Sequence, residues 1–537
     1  MTADEPLKGR VSVCQRVEFW TAVIITLWRG ALHVLNLYHA GPLWRDEAGT
    51  ADFAAMPSVR EIWRNLRYDN FPPLFVAVAR VWTLAGLGSD FGYRVLGFLI
   101  GMGTLGVLWW CARKLGGKTP LLVLSLYAIN PVAIRVCDSL RPYGLGIALI
   151  LLTSALVWNF VQAPGRKSFF LATLAATLSV QCLYQNAFFI IAFSCGAWLV
   201  CLARKEWKTA WQTGLIGLIA ALSLLPYCVI IKQGREWLDV ARLEVRFDSI
   251  WYSLLDTLQA PGGWAVSLAW LILFAVALAV AVFGSVRQRR WEMLYCGTIL
   301  VSSTVIYLSF LQGLGLAPHM WYFLILLAPA GMMTNSILCG LENWRFQIGR
   351  AGLGLILTGG CVPACYAGVC LRQSNIDLIA AKLKQGAQSG DLIIISPWCY
   401  GVSLQRYLDA NRWTTLPPLA EIRIHRFDLV KKAMVTENPI GPLLDKVRAT
   451  LRSGHTLWVA GDLDAPPDGN PPPVYPPYKG SLDEADTKYF YSWMYQVTYF
   501  VGRHATKGNL VELPVPGGLA VNPFENLQLR AIHGWRE

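Results

Sequence analysis

An acidic pair, Asp46-Glu47, follows Gly41-Pro42-Leu43-Trp44-Arg45 just after the first long apolar run of this sequence. Carboxylates at the mouth of a membrane span are costly to place there unless they serve something. A carboxylate so placed can take the proton of an attacking hydroxyl, and an arginine can stabilise a departing phosphate. The chain offers Arg94 at the outer end of the apolar run Tyr93–Cys111, and Arg141 in Asp138-Ser139-Leu140-Arg141-Pro142-Tyr143-Gly144. Asp46 is the expected base, Arg94 the expected phosphate ligand, and Arg141 a second one. Together they suit displacement at a sugar C1 that carries a phosphate leaving group, with inversion at that carbon. Neither a Walker sequence nor a Gly-rich dinucleotide turn is present. This fits a lipid-linked donor used outside the cytoplasm, where nucleotide sugars are scarce. A divalent metal is compatible with the chemistry, but no ligand set in the sequence demands one.

Each of these residues also has a plain structural use. Asp46 and Glu47 can cap a helix, Arg94 can anchor a span by snorkelling, and Asp138 can pair with Arg141. His319 suits a satisfied interface position. Arg29 and His33 share one face of the first span and mark a polar contact within the bundle.

The elements that must position these groups follow from composition. Of 537 residues, 54% are apolar and 15% charged, and mean hydropathy is +0.41; soluble domains carry about 25% charged residues. A span needs about 20 largely apolar residues, and such runs recur from Phe19 to Cys370. The expected fold is therefore a polytopic α-helical membrane body, residues 1–370, followed by a soluble α/β domain, residues 371–537. Thirteen cysteines say little about compartment, because the tail holds one, Cys399, and cannot form an internal disulfide.

Net charge is +13, but the basic residues sit in short loops, so topology rather than nucleic acid explains them. Clusters at Arg113–Lys114–Lys118, Arg166–Lys167, Arg204–Lys205–Lys208, Arg287–Arg289–Arg290 and Arg345–Arg350 are all placed in the cytoplasm, with the N-terminus. No small-residue cleavage site follows the first apolar run, which reads as a signal-anchor. The loops around Asp138–Arg141, Tyr184–Asn186, Lys232–Ala260 and Gln312–His319, and the tail, then face outward. This arrangement requires that Pro72–Gly88, which is short and carries Arg80, lie along the interface rather than cross. The count is then about eleven spans, and about twelve or thirteen if further stretches cross. A bacterial inner membrane is the expected location.

The first outer loop, residues 39–93, carries a capping box at Ser58-Val59-Arg60-Glu61. Behind it Val59, Ile62, Trp63 and Leu66 fall on one helical face, with Arg60, Arg64 and Arg67 elsewhere. A basic amphipathic helix of this kind lies in the headgroup layer, where a lipid phosphate emerges.

Four motifs in this order resemble the GT-C glycosyltransferases of the family-39 type, which include protein O-mannosyltransferases and the bacterial aminoarabinose transferase acting on lipid A. They are Trp44-Arg45-Asp46-Glu47, Asn70-Phe71-Pro72-Pro73-Leu74, Tyr93-Arg94, and Asp138 with Arg141-Pro142-Tyr143-Gly144-Leu145. The resemblance covers roughly the first two hundred residues and only hydropathy beyond them. It implies a polyprenyl-phosphate-sugar donor, membrane lipids as surroundings, and a glycan, lipid or protein acceptor. It also implies an active site at the acidic pair, with Asp46 as base and with Arg94 and Asp138 lining the same cavity. Tyr143 is a further substrate-side residue. The departures are Phe71 where the family has His or Lys before Pro-Pro, Asp69 one position off a second family carboxylate, and Trp321 where a late span often opens with Arg-Tyr. There, in Pro318-His319-Met320-Trp321-Tyr322, His319 is the substitute.

In the tail, Asp391–Ser396, Leu457–Ala460 and Leu510–Leu513 read as strands, Val402–Leu408 as a helix, and Asp464–Lys479 as a proline-rich loop. No catalytic constellation is visible there, and acceptor recognition or shielding of the cavity is the expected role. Two other classes stay open. A transporter or flippase of lipid-linked sugars predicts mid-bilayer charges and repeated halves, and few such charges and no repeat are seen. A non-catalytic membrane scaffold predicts a dispensable acidic pair.

Overall fold

The structure is a computed structural model and describes residues 4–69, 71–242, 245–284, 289–465, 469–480 and 486–537. Asn70 and Arg287, named above, lie outside the described residues.

Among the described residues, eight helices are long and apolar enough to cross a membrane, which makes this a multi-pass membrane protein: Asp90–Lys114, Tyr143–Gln162, Asn186–Ala203, Trp207–Trp237, Trp264–Phe283, Arg290–Leu314, Met320–Leu338 and Trp344–Val369. The expected run of about eleven included two helices that fall short of this. Asp4–His39 is long but carries buried Glu18, Arg29, His33 and Asn36, and it packs on Trp344–Val369. Arg166–Cys182 has 17 residues and packs between Tyr143–Gln162 and Trp207–Leu222. Met320–Leu338 is the central helix, buried from Phe323 to Leu338.

The first outer loop folds as a chain of short helices. Arg45–Ala54 is followed by Val59–Asn65, whose Ser58 hydroxyl accepts the Glu61 N–H at 3.2 Å, one half of the expected capping box. On that helix Ile62 is buried while Val59 and Trp63 are exposed. The apolar stretch Leu74–Leu87 is 14 residues, too short to span about 30 Å at 1.5 Å per residue. Its Arg80 turns back to the carbonyls of Ala54, Met56 and Pro57 at the end of Arg45–Ala54.

After Val369 the chain builds an α/β domain on five strands: β1 Leu392–Ser396, β2 Thr414–Thr415, β3 Leu457–Gly461, β4 Ala505–Val511 and β5 Leu529–Trp535. The order is β2-β1-β3-β5-β4, parallel among β2, β1 and β3 and antiparallel thereafter. β1 and β3 match the expected strands, because a run such as Leu-Ile-Ile-Ile buried on both faces suits a central parallel position. The expected Val402–Leu408 helix is only Gly401–Leu404.

The domain is clamped onto the membrane body. Arg406 Nε donates to Asp90 Oδ1 at 2.6 Å, the Tyr407 hydroxyl donates to Asp90 Oδ2, and Gln405 Nε2 donates to Asp52 Oδ2 at 2.9 Å. On the other side Gln373 N donates to Ala40 O at 2.8 Å.

Candidate functional site

Helix Arg45–Ala54 carries Asp46 and Glu47 on different faces, because consecutive helical residues do not share one. Asp46 turns into a cavity of about 1360 Å³ between the membrane body and the C-terminal domain. Glu47 turns inward and is fully buried. Its Oε2 accepts the Trp44 N–H at 3.3 Å, which fixes the helix start, and its Oε1 accepts Arg94 Nη1 at 2.6 Å and the Leu140 N–H at 2.9 Å.

The same contacts decide the place of Arg94. Its Nε donates to Gly41 O at 3.2 Å and its Nη2 to Pro42 O at 2.6 Å. With Glu47 on Nη1, the guanidinium holds the Gly41-Pro42 turn from behind and does not line the cavity. The expectation that Arg94 and Glu47 face a substrate is corrected: a buried arginine requires its charge and donors to be met, and here they are met by the protein.

Asp138 departs from expectation in the same way. Its Oδ1 takes the His33 Nδ1 at 2.6 Å and its Oδ2 the Asn36 amide at 3.1 Å. Arg29 Nε donates to His33 Nε2 at 2.9 Å, which leaves Nδ1 to carry the imidazole proton and donate it to Asp138. This relay ties the first helix to the Asp138–Gly144 loop inside the bundle, and none of it reaches the cavity. Helix Asp90–Lys114 admits the loop because Gly97 and Gly101 face it; a Cβ on Gly97 would overlap the Asp138 carbonyl oxygen, and one on Gly101 its carboxylate.

Three residues later that loop delivers Arg141 to the cavity. Its Nη1 donates to Asp46 O at 3.1 Å and to Thr50 Oγ1 at 2.9 Å, its Nη2 stands 3.8 Å from Asp69 Oδ1, and its guanidinium lies 4.6 Å over the Phe71 ring. Phe71 therefore supplies a platform at the position where the resemblance led one to look for His or Lys. Tyr143 meets Phe71 edge-on at 5.5 Å, and His319 stacks on Trp321 at 4.3 Å. Asp46, Asp69, Arg141, Tyr143 and His319 thus share one cavity; Glu47, Arg94 and Asp138 support it from behind.

The C-terminal domain adds residues that the sequence did not point to. His425 Nε2 is 3.6 Å from Asp46 Oδ1, and Trp398, Cys399, Phe427 and Asp462 line the same space. Arg45 lies between the two parts, with Nε 3.3 Å from Glu525 Oε1, Nη1 3.4 Å from Cys399 Sγ, and its guanidinium 5.2 Å over Tyr400. His425 sits in Glu421-Ile-Arg-Ile-His-Arg, which has no motif character; only the tertiary fold brings it to Asp46.

The electrostatics favour an anionic Asp46. Burial pushes the Asp46 carboxyl up, but the charges beside it, Arg141 first and Arg45 with it, hold it below the usual carboxylate range. Burial lowers His425 to about 4 against the pull of Asp46, so the imidazole is neutral. His319 is lowered as well, by burial and then by Arg45. Among the described residues no group of three or more His, Cys, Asp and Glu side chains is placed to hold a metal ion.

No family profile and no curated protein matches the sequence. Solved structures do. ArnT from Cupriavidus metallidurans bound to undecaprenyl phosphate aligns at TM-score 0.51 and 13% identity, over 82% of this chain and 92% of that one. The Archaeoglobus fulgidus oligosaccharyltransferase in complex with Zn and sulfate aligns at 0.50 and 12% identity, over 82% and 68%. The same enzyme tethered to an acceptor peptide containing the NVT sequon aligns at 0.50 and 12%, over 95% and 74%. At these identities the likeness lies in the fold alone: this chain shares the fold of these membrane transferases.

Proposed function

We propose that this protein is a glycosyltransferase of the family-39 type that moves a sugar from a polyprenyl-phosphate carrier to an extracytoplasmic acceptor, with Asp46 as base and Arg141 as the principal phosphate ligand. One observation carries this reading: Asp46 and Arg141, distant in sequence, meet in one large cavity that also has an apolar wall. That wall is built from Phe188, Ile231, Val305, Ile306 and Phe310, and Ile231 and Val305 are exposed on the helix surface. An isoprenoid chain suits this wall, and its phosphate would then sit at the polar end. Two neighbours support the two substrate classes, one bound to undecaprenyl phosphate and one tethered to an acceptor peptide.

In the proposed step Asp46 removes the proton from the acceptor hydroxyl as its oxygen bonds to the sugar C1 from the face opposite the phosphate. The C1–O bond to phosphate breaks, and its electron pair leaves on the phosphate oxygen, toward Arg141. The products are a glycoside inverted at C1 and free polyprenyl phosphate. The acceptor is a glycan, lipid or protein at the outer face of a bacterial inner membrane, and the C-terminal domain lies on that side.

The test is Asp46→Asn in host membranes, with product followed by mass spectrometry and expression checked. Loss of a general base lowers the rate by about 10²–10⁴-fold. Wild-type activity in the variant, or a product with retained configuration, would overturn the mechanism.

A further inference from the structure

We infer that His425, carried by the C-terminal domain, is a positioning residue for Asp46, its Nε2–H donating to the carboxylate and aiming it at the acceptor. The inference rests on reading Asp46 as the base. Among the described residues, His425 is the basic side chain that comes within ion-pair distance of that carboxylate, at 3.6 Å. Arg141 donates instead to the Asp46 backbone carbonyl and to Thr50, so it fixes the helix rather than the carboxylate. The 3.6 Å separation is longer than a formed hydrogen bond, as catalytic contacts often are before substrate binds.

The imidazole is well held. Trp398 meets it edge-on at 6.0 Å and Phe427 stacks at 6.4 Å with the planes 22° apart. On the membrane side it lies against Gly49, where a Cβ would come 3.7 Å from Nδ1. The loop that carries it is tied to the membrane body through Gln405, whose Nε2 lies 3.4 Å from Ile422 O and donates to Asp52 Oδ2 at 2.9 Å. A neutral histidine here gives a hydrogen bond without a proton to hand to the base, and Asp46 stays available to the acceptor. The charged and titratable groups facing Asp46 are Arg141, His425, Arg45 and His319, with Tyr143, Tyr322, Cys399 and Glu525 around them; those facing His425 are Asp46, Arg45 and Arg141.

The consequence appears in the pH profile. Asp46 works only when ionised, so the acid limb of the rate reports its pKa. Without the donor, burial raises that pKa and the limb moves to higher pH. The experiment follows the initial rate of transfer in isolated host membranes, which carry the native donor and acceptor, from about pH 4.5 to 8. Binding of undecaprenyl phosphate to the purified full chain and its thermal unfolding are measured alongside. His425→Ala is expected to lower the rate about tenfold or more and shift the acid limb upward, with undecaprenyl phosphate binding unchanged. His425→Gln, whose amide reaches a similar place as a donor, is expected to restore most of the rate and the limb. An unaltered rate in His425→Ala overturns the inference. So does an equal loss in both variants with the limb unmoved, because that is a packing defect alone. If Asp46→Asn is inactive while His425→Ala is normal, only this inference fails; if Asp46→Asn is fully active, the functional reading fails first.

Discussion

Arg94 Nη1 and Glu47 Oε1 are 2.6 Å apart and both side chains are almost wholly shielded from solvent. Through this pair the span Asp90–Lys114 grips the helix that carries Asp46 and, by the Leu140 N–H, the loop that carries Arg141. A motif that reads as two adjacent catalytic acids is thus divided between one acid in the cavity and one in the frame.

Removing one member of a buried ion pair leaves an uncompensated charge and costs about 3–5 kcal/mol. Glu47→Ala and Arg94→Ala are therefore expected to lose that much stability, seen as a large drop in the unfolding temperature of the detergent-solubilised protein. Asp46→Asn, which touches none of these bonds, is expected to melt close to wild type. A Glu47→Ala protein as stable as the wild type would show that the pair holds nothing.

The close approach of Asp138 gives a second expectation. Gly97→Ala and Gly101→Ala force a Cβ into the Asp138 backbone or carboxylate, which must push away the loop that presents Arg141. Both variants are expected to lose transfer activity and stability. Gly103→Ala and Gly106→Ala are the controls on the same helix, since a Cβ at either meets nothing within 4 Å, and replacing helical Gly by Ala gains up to about 1 kcal/mol. Equal behaviour of the two pairs in expression and melting would refute the packing argument.

Arg141 is expected to separate binding from folding. Its guanidinium rests on the Phe71 face and spans Asp46, Thr50 and Asp69. Arg141→Ala removes the charge proposed to meet the leaving phosphate and should lower transfer by about 10²–10³-fold. Arg141→Lys keeps a charge but loses the planar fork and the stacking, so its activity should fall between the two. Undecaprenyl phosphate binding to the purified protein checks the assignment; unchanged binding in Arg141→Ala would move the phosphate elsewhere.

Much of this site is written in local sequence, and the rest is not. Hydropathy marks the spans because a bilayer demands them, and Ser58 and Glu61 mark a helix start because a capping box is a local bond. Asp46, Asp69 and Arg141 are legible as polar groups at the ends of apolar runs. Glu47, Arg94 and Asp138 look identical by that criterion, and only packing tells frame from cavity: Gly97 and Gly101 were the available hint that something presses on that helix. His425 carried no hint, since its partner lies in another domain. The sheet followed the same division. The apolar runs of β1 and β3 are evident, whereas β5, Leu-Arg-Ala-Ile-His-Gly-Trp, alternates too loosely to be recognised before its partners are known.

Two groups between the domains, buried Glu525 and half-buried His425, give the fold opposite responses to pH. Burial pushes Glu525 up from 4.5 to about 8, against the pull of Arg45, so the folded protein holds this proton where the unfolded chain releases it. Its contribution is complete below pH 4.5 and is lost as pH rises through 8. His425, lowered from 6.5 to about 4, does the reverse: its contribution is complete above pH 6.5 and is lost as pH falls through 4. The unfolding temperature of the purified protein is therefore expected to peak between these limits. Glu525→Gln keeps the neutral form at every pH, so it should match the wild type only below about pH 4.5, exceed it at pH 6 and flatten the decline on the alkaline side. His425→Gln should flatten the acid side in the same manner. An alkaline decline that persists undiminished in Glu525→Gln would mean that the carboxyl beside Arg45 is ionised in the folded protein, and that Arg45 holds it as a true ion pair.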